Sequence, residues 1–133
     1  MTTSYPPFFA EDLAVSLTTG DVARSRDWYR DTLGLEIDRQ FERDGRLFAV
    51  RMRAGSVRIL LTQDNGAKGT DRIKGEGFSM QLTTSQDIDA IAALAKRAGA
   101  TLDSEPADMM GARGFRLRDP DGFRWTISAP RPG

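Results

Sequence analysis

The 133-residue chain contains no histidine and no cysteine. These two absences exclude thiolate nucleophiles, disulfides, cysteine-ligated zinc, iron–sulfur clusters and catalytic triads built on histidine. A general base working near neutral pH would have to be a carboxylate with a raised pKa or a lysine with a lowered one. A metal site would be restricted to oxygen ligands, which favours Ca²⁺, Mg²⁺ or Mn²⁺ over zinc or iron.

The chain also lacks net charge, because 19 Lys and Arg residues balance 19 Asp and Glu residues. Nucleic-acid-binding proteins usually carry a basic excess, so we do not expect nucleic acid as the main partner. No stretch approaches the roughly 20 apolar residues of a membrane span, and the first seven residues do not resemble a signal peptide. We therefore expect no membrane partner, and the absence of cysteine is consistent with a cytoplasmic protein.

Two segments, at about residues 21–33 and 86–98, have the apolar periodicity of helices whose apolar faces pack in a core. The expected caps are Thr19 or Asp21 and Gly34 for the first helix, and Ser85 and Gly99 for the second. Alternating apolar residues predict strands at about 13–17, 35–42, 47–53, 57–62, 78–82, 101–105, 114–118 and 123–128. Each half of the chain therefore has a strand, a helix and three more strands.

The two halves form an internal repeat. At an offset of 65 residues, Leu17-Thr18-Thr19 aligns with Leu82-Thr83-Thr84, and Gly34 aligns with Gly99. We expect a single domain over residues 1–133, with module one at about 10–63, a linker at about 64–75 and module two at about 76–129. Each module should be a four-stranded antiparallel sheet covered by its helix on one face. Two such sheets edge to edge would enclose a concave ligand cleft, with a loop at 108–111 over its mouth.

Two motifs resemble those of a known superfamily. Residues 20–34, GDVARSRDWYRDTLG, resemble the first-helix signature of the glyoxalase/bleomycin-resistance/dioxygenase (vicinal oxygen chelate) superfamily, and residues 118–125, RDPDGFRW, are similar to its last hairpin. The order of the elements matches from about residue 13 to residue 128. The resemblance implies an α+β fold in which two βαβββ modules form a half-barrel cleft. It also implies a homodimer, sometimes with modules exchanged between the chains.

The enzymes of this superfamily bind a divalent metal through His and Glu side chains on the cleft strands. Carried onto this chain, the ligand positions fall at Ala14, Ile59 or Leu60, Met80 and Thr126. None of these residues is His or Glu, so we expect no metal and no other cofactor. Metal-dependent glyoxalase, dioxygenase, epimerase and thiol-transferase activities are not expected. The chain instead resembles the metal-free branch of bleomycin-resistance proteins, which sequester a drug or natural product.

An apolar cleft floor favours a flat or aromatic organic ligand. The candidate cleft residues are Ala14, Phe48, Arg58, Met80, Phe115, Arg124 and Thr126. Arg124 is the expected polar contact, because its neighbours Phe123 and Trp125 are predicted to face the helix. Arg58 and Arg116 are weaker candidates of the same kind. Met80 is equally compatible with core filling, and a one-residue change of register would turn Phe48 and Phe115 away from the cleft.

We therefore predict a protein that binds a small organic molecule and is not an enzyme. The alternative is a metal-independent isomerase, lyase or cyclase that uses Arg or Glu residues of the cleft, for which Glu76 is a candidate. A third hypothesis is a module that serves only dimer assembly or a regulatory partner.

Overall fold

One pattern of elements occurs twice within residues 6–69 and 74–131, which the computed structural model describes. The elements follow the order β1 (Ala14–Thr19), α1 (Val22–Leu33), β2 (Glu36–Arg43), β3 (Arg46–Ala54), β4 (Val57–Gln63), β5 (Met80–Thr83), α2 (Ile88–Arg97), β6 (Leu102–Met109), β7 (Ala112–Arg118) and β8 (Arg124–Pro130). The predicted succession of a strand, a helix and three strands is therefore present in each half. Part of the predicted linker, residues 70–73, lies outside the described residues.

The strands form two four-stranded sheets. Sheet A has the order β1-β4-β3-β2, and sheet B has the order β5-β8-β7-β6. The prediction of purely antiparallel sheets is wrong, since β1 runs parallel to β4 and β5 runs parallel to β8. The reason is the helix: α1 returns the chain to the end of the sheet where β1 began, so β2 runs in the same direction as β1. Two hairpin turns then bring β4 back to that direction.

The hairpin turns use residues with positive φ. Asp44 and Gly45 form the predicted two-residue turn between β2 and β3, with φ values of 53° and 75°. Met110 and Gly111, with φ values of 42° and 81°, form the corresponding turn between β6 and β7. Positive φ at both central residues is typical of the tight turns that suit twisted strands. The loop predicted at 108–111 is therefore wrong, because β6 continues to Met109.

The helix caps agree with the sequence at α1 and differ at α2. The Asp21 side chain accepts a hydrogen bond from Arg24 N, and Gly34 ends α1 with a φ of 75°. The predicted N-cap of α2, Ser85, is wrong: the Asp87 side chain accepts from the backbone N–H groups of the first turn instead. Serine and aspartate cap helices equally well, so the start is set by tertiary packing, which buries Ile88 directly after the cap.

Both sheets bury their helix-facing side chains in one core. That core combines Leu17, Val50, Met52, Ile59 and Leu61 of sheet A with Met80, Phe115, Leu117, Trp125 and Ile127 of sheet B, together with Val22 and Tyr29 of α1 and Ile88 and Ala92 of α2. Because both helices lie in this shared core, each sheet has an open face on the side away from the helices. No helix of the described segments is long and apolar enough to cross a bilayer.

The strand registers show which residues of the two modules are equivalent. Three pairs in sheet A have a counterpart pair in sheet B at an offset of 65 or 66 residues: Ser16–Leu60 and Gln81–Thr126, Arg51–Leu60 and Arg116–Thr126, and Arg53–Arg58 and Arg118–Arg124. We call residues related in this way counterparts. The internal repeat seen in the sequence is thus matched residue by residue in the sheets.

Candidate functional site

The open faces carry the strand positions at which metal ligands were expected. Leu60 and Thr126 lie on these faces, whereas Ile59 and Met80 are core residues with 1% and 9% exposure. The expectation that Met80 lines the cleft is therefore wrong. Gln81 pairs with Thr126, and its counterpart Ser16 pairs with Leu60. The modules thus place Ser16, Leu60, Gln81 and Thr126 at counterpart open-face positions, of which Leu60 and Thr126 are expected ligand positions. The expected position Ala14 is exposed at the start of β1.

These four residues do not fit a divalent metal. They offer two hydroxyl groups, one neutral amide and one leucine side chain, with neither a carboxylate nor an imidazole. Divalent cations in proteins are held mainly by anionic oxygen, imidazole or thiolate ligands. Across residues 6–69 and 74–131, no three or more Asp, Glu, His or Cys residues are grouped so that they could hold a metal ion. No step of chemistry is therefore assigned to a metal here.

The two predicted aromatic contacts are not equivalent to each other. Phe115 is fully buried in the core, so the expectation that it lines the open face is wrong. Its counterpart in sheet A is Val50, not Phe48, as the strand pairs show. Phe48 is half-buried and lies 6.4 Å from the ring of Phe41, while the guanidinium of Arg43 lies 4.4 Å above the Phe48 ring. Phe48 therefore has partners from its own hairpin.

Three arginines on the open face of sheet A, Arg51, Arg53 and Arg58, have arginine counterparts in sheet B, and all three are paired with carboxylates. A further arginine of this face, Arg39, lies opposite Arg51 and packs over the Phe41 ring at 4.9 Å. Arg51 Nε lies 2.7 Å from Asp38 Oδ2, and Arg53 lies 3.2 Å from Glu36 Oε2. Arg58, a predicted ligand contact, forms an ion pair with Asp12, just before β1. Ala14, another predicted contact, is exposed at the start of β1 beside Arg58.

The counterpart arginines of sheet B are paired differently. Arg118 Nε lies 2.9 Å from Asp103 Oδ2. Arg116 and Arg124 form neither an ion pair nor a side-chain hydrogen bond with any residue that the structure describes. The sequence explains the difference, because the counterpart of Glu36 is Thr101 and the counterpart of Asp12 is Gly77. Sheet B therefore has two carboxylates fewer beside the same set of arginines.

The two unpaired arginines lie at a cavity of about 220 Å³ on the open face of sheet B. Its polar lining consists of Ser79, Gln81, Asp103, Arg116, Arg124 and Thr126. The structure thus brings the predicted contacts Arg124 and Thr126 together with Arg116, a weaker candidate from the sequence, and adds Gln81, which the sequence did not indicate. Ala14, Phe48 and Arg58 do not line this cavity, because they belong to sheet A. The strand alternation around Trp125 was the signal that placed Arg124 correctly.

A buried polar cluster joins α1 to the last hairpin. Tyr29 Oη donates to Asp119 Oδ2 at 2.6 Å and accepts from Trp125 Nε1 at 2.9 Å. Asp119 Oδ1 accepts from the backbone N–H groups of Asp121 and Phe123. Burial raises the pKa of the Asp119 carboxyl, while the hydrogen bonds to it act in the opposite direction. The pKa of Tyr29 is raised as well, first by burial and then by the nearby Asp119.

The neighbouring turn residue extends this contact. Asp121 Oδ2 accepts from Thr19 Oγ1 at 2.6 Å and from Ser25 Oγ at 3.2 Å, and Asp121 Oδ1 accepts from Gly20 N at 2.8 Å. Asp119 Oδ2 and both oxygens of Asp121 are thus occupied by contacts between the modules, whereas Asp119 Oδ1 is occupied within its own turn. The motif residues Ser25, Tyr29, Asp119 and Asp121 therefore connect module two to the start of module one.

Two further cavities lie between the modules. One, of about 570 Å³, has a mixed lining in which Glu36 and Arg53 pair with each other. Its other lining residues include the apolar Leu35, Val57, Leu82, Ile91 and Ile127 and the neutral polar Ser56, Thr83, Thr84, Ser85 and Gln86. The other, of about 600 Å³, is an open groove beside Trp28 and Pro120. Among their described lining residues, neither cavity has two side chains of the same charge without ion-pair partners, as the sheet B cavity has in Arg116 and Arg124. The open-face cavity is therefore the better candidate for specific recognition.

Comparison with known proteins identifies the family. The model of the Glyoxalase/Bleomycin resistance protein/Dioxygenase superfamily matches residues 13–127. The chain belongs to this superfamily. A search of curated protein sequences found no significant match to this chain.

Solved structures that are similar to this chain confirm its architecture. TioX from Micromonospora sp. ML1 is 19% identical with a TM-score of 0.74, and the match covers 91% of this chain and 99% of TioX. UcmS2 is 16% identical with a TM-score of 0.74, covering 91% and 98% of the two chains. A glyoxalase/bleomycin resistance protein/dioxygenase from Nocardioides is 20% identical with a TM-score of 0.68, covering 99% and 88%. At these identities the likeness concerns the fold, and the predicted α+β fold of two βαβββ modules is confirmed.

Proposed function

We propose that this superfamily member binds a small organic molecule on the open faces of its sheets without a metal. The observation that carries the proposal is a cavity on the open face of sheet B that is lined by polar and basic side chains, on sheets whose expected ligand positions Ala14, Leu60 and Thr126 hold neither His nor Glu. Such a surface is suited to recognition by hydrogen bonds and charge. Sequestration of a drug or natural product is the function that these features support best.

The surroundings of the cavity favour binding over catalysis. Asp103 is the one carboxylate among its lining residues, and it is engaged by Arg118 at 2.9 Å. Glu76, the candidate acid or base, is exposed and does not line the cavity. A metal-independent isomerase, lyase or cyclase would need a positioned proton-transfer group, normally one with a shifted pKa. A binding protein needs none.

We further propose that the protein is a homodimer in which a second copy completes the site. The two open faces lie on the outer sides of a shared core, and the sheet B cavity is lined by module two alone. The chain exposes 9252 Å², compared with roughly 6,900 Å² for a compact monomer of its 14.7 kDa. The exposed segment 6–13 contributes part of this excess, and burial of an open face against a partner would remove much of the rest. We retain the cytoplasm as the expected location because the chain has no cysteine.

The binding proposal is tested by thermal unfolding with a panel of bleomycin-like, mitomycin-like and simple aromatic compounds. A ligand that binds the folded state raises the midpoint temperature. We expect at least one compound to raise it equally before and after EDTA treatment. A rise that requires added Zn²⁺, Ni²⁺ or Mg²⁺, or no rise with any compound, would contradict the proposal. Light scattering during gel filtration tests the dimer, for which a monomeric mass at micromolar concentration is the contradicting result.

A further inference from the structure

We propose that this binding site recognises an organic oxyanion, a carboxylate or a phosphate ester, through Arg116 and Arg124 of sheet B. The inference rests on the proposed binding function and names its ligand class. On the open face of sheet A, Arg51, Arg53 and Arg58 are each paired with a carboxylate. Of their counterparts on sheet B, Arg118 is paired, whereas Arg116 and Arg124 are not paired within the described chain.

The charge balance of the cavity favours an anion. Two guanidinium groups and one carboxylate, that of Asp103, belong to its lining, and the carboxylate lies 2.9 Å from Arg118. Arginine remains charged at all relevant pH values, so Arg116 and Arg124 leave positive charge without a partner within the described chain. An oxyanion placed between them would supply the charge that Asp12 and Glu36 supply on sheet A.

The geometry of the strands brings the two arginines to one point. Arg116 pairs with Thr126, and Arg124 lies two residues before Thr126 on the same strand and face. Such diagonal neighbours are roughly 7–8 Å apart, within reach of long side chains. A carboxylate or phosphate can therefore accept charge-assisted hydrogen bonds from both guanidinium groups. Gln81 and Thr126 add neutral donors beside them.

The size of the cavity indicates which part of a ligand it holds. Its volume of about 220 Å³ is below the roughly 300 Å³ at which drug-sized pockets begin. It therefore suits the anionic group and an adjoining ring, over which planar guanidinium groups stack well. The remainder of a larger ligand would extend toward the wall that a second copy supplies.

The first experiment compares four small probes by isothermal calorimetry and by NMR of the arginine side chains: sodium benzoate, phenyl phosphate, benzyl alcohol and benzylamine. We expect benzoate or phenyl phosphate to bind at least tenfold more tightly than benzyl alcohol, and benzylamine not to bind. The affinity should fall as the salt concentration rises, because an exposed ion pair is screened. The ratio of the two anions distinguishes a carboxylate from a phosphate ligand.

The second experiment uses matched variants. Arg116→Met and Arg124→Met should each weaken the better anion about tenfold, the loss of about 1.4 kcal/mol that is typical of one charge-assisted hydrogen bond. Arg51→Met, the counterpart of Arg116→Met, is the control and should change the affinity less than twofold. Circular dichroism and thermal unfolding verify that each variant is folded, and all three positions are on open faces, away from the core.

The outcomes separate the two proposals. If benzyl alcohol binds as tightly as the anions, or if Arg116→Met and Arg124→Met change nothing, anion recognition is overturned while small-molecule binding stands. If neither anion shifts any arginine resonance at roughly millimolar concentration, anion recognition is also overturned. If in addition no compound of the thermal panel binds, the proposed binding function itself fails. Selective binding of an anion that is lost in both sheet B variants and retained in Arg51→Met supports the inference.

Discussion

The two modules have the same strand register but differ in the partners of their open-face arginines. Arg53 in module one and its counterpart Arg118 in module two both have a carboxylate partner. Arg51 is paired with Asp38, whereas its counterpart Arg116 is not paired within the described chain. The two modules thus have the same strand framework, but module two has two acidic residues fewer on its open face, and two of its arginines have no partner within the described chain.

The modules differ again in how each fastens to the other. The helix of module one reaches the last hairpin of module two through the Tyr29–Asp119 hydrogen bond. By the 65-residue offset, the counterparts are Leu94, which is 55% exposed, and Ala54. Because neither side chain has a polar atom, no side-chain hydrogen bond between these counterparts can connect α2 to module one. We therefore expect substitutions at Tyr29 and at its counterpart Leu94 to have very different effects on stability.

The largest effect is expected from Tyr29→Phe. Removing the hydroxyl leaves Asp119 Oδ2 and Trp125 Nε1 without their buried partner. We expect the free energy of unfolding to fall by about 2–3 kcal/mol, measured by urea denaturation, because unsatisfied buried polar groups are costly. The counterpart change Leu94→Ala should cost less than about 1 kcal/mol, since this side chain is largely exposed. Equal losses in the two variants would contradict the asymmetry.

A somewhat smaller loss of stability is expected from Gly114→Ala, at a position where the two sheets are packed differently. Gly114 of sheet B has Ala49 as its counterpart in sheet A. A Cβ at position 114 would lie 2.8 Å from Ile127 O and 3.0 Å from Ser128 Cβ, so the strands would have to move apart. We expect Gly114→Ala to lower the free energy of unfolding by about 1–3 kcal/mol. The reverse change, Ala49→Gly, should cost about 0.5–1 kcal/mol through backbone entropy, and a stabilising Gly114→Ala would contradict the packing argument.

The pH dependence of stability provides a further test of the buried contact. Burial raises the pKa of Asp119 in the folded state, so the folded protein holds this proton to a higher pH than the unfolded chain. Its contribution is therefore greatest below the unfolded pKa of about 3.9 and is lost as the pH rises through the folded pKa. Exposed Asp89 and Asp108 have pKa values lowered by hydrogen bonds from arginines, which gives the opposite trend.

A variant separates these opposing trends. We expect the free energy of unfolding of wild type, measured relative to Asp119→Asn, to decrease as the pH rises from about 4. Urea denaturation of both proteins across pH 4–7 gives this difference, in which the exposed carboxylates cancel. A difference that is constant or increases with pH would show that the pKa of Asp119 is not raised in the folded protein.

The smallest effect on stability is expected from Thr101→Glu, which should nevertheless weaken anion binding. This change restores in sheet B the carboxylate that Glu36 provides in sheet A. We expect Arg118 to pair with the new carboxylate and Asp103 to turn to Arg116, as Asp38 does to Arg51. Stability should change by less than about 0.5 kcal/mol, because exposed ion pairs contribute little. Affinity for the preferred anion should fall several-fold by calorimetry, and an unchanged affinity would mean that Arg116 is not part of the anion site.

Much of the secondary structure was predictable because the sequence patterns that specify it are local. The cap at Asp21, the αL residue Gly34 and the Asp44-Gly45 turn depend on residues that are close together in the chain. The alternation around Trp125 also placed Arg124 on the open face. Alternation alone, however, did not determine which side chains of every strand face the core. A one-residue shift exchanges the faces, and Met80 and Phe115 were therefore placed on the wrong side.

By itself, the sequence determined the repeat, the helices and strands, the superfamily and the absence of histidine and cysteine ligands. Only the tertiary structure decided which arginines have partners, because Asp12 and Arg58 come from distant parts of the chain, and Asp103 pairs with Arg118 and not with Arg116. The same holds for Tyr29 and Asp119, which are 90 residues apart. Local patterns encode backbone conformation, whereas charge neutralisation and buried hydrogen bonds depend on contacts that exist only after the chain has folded.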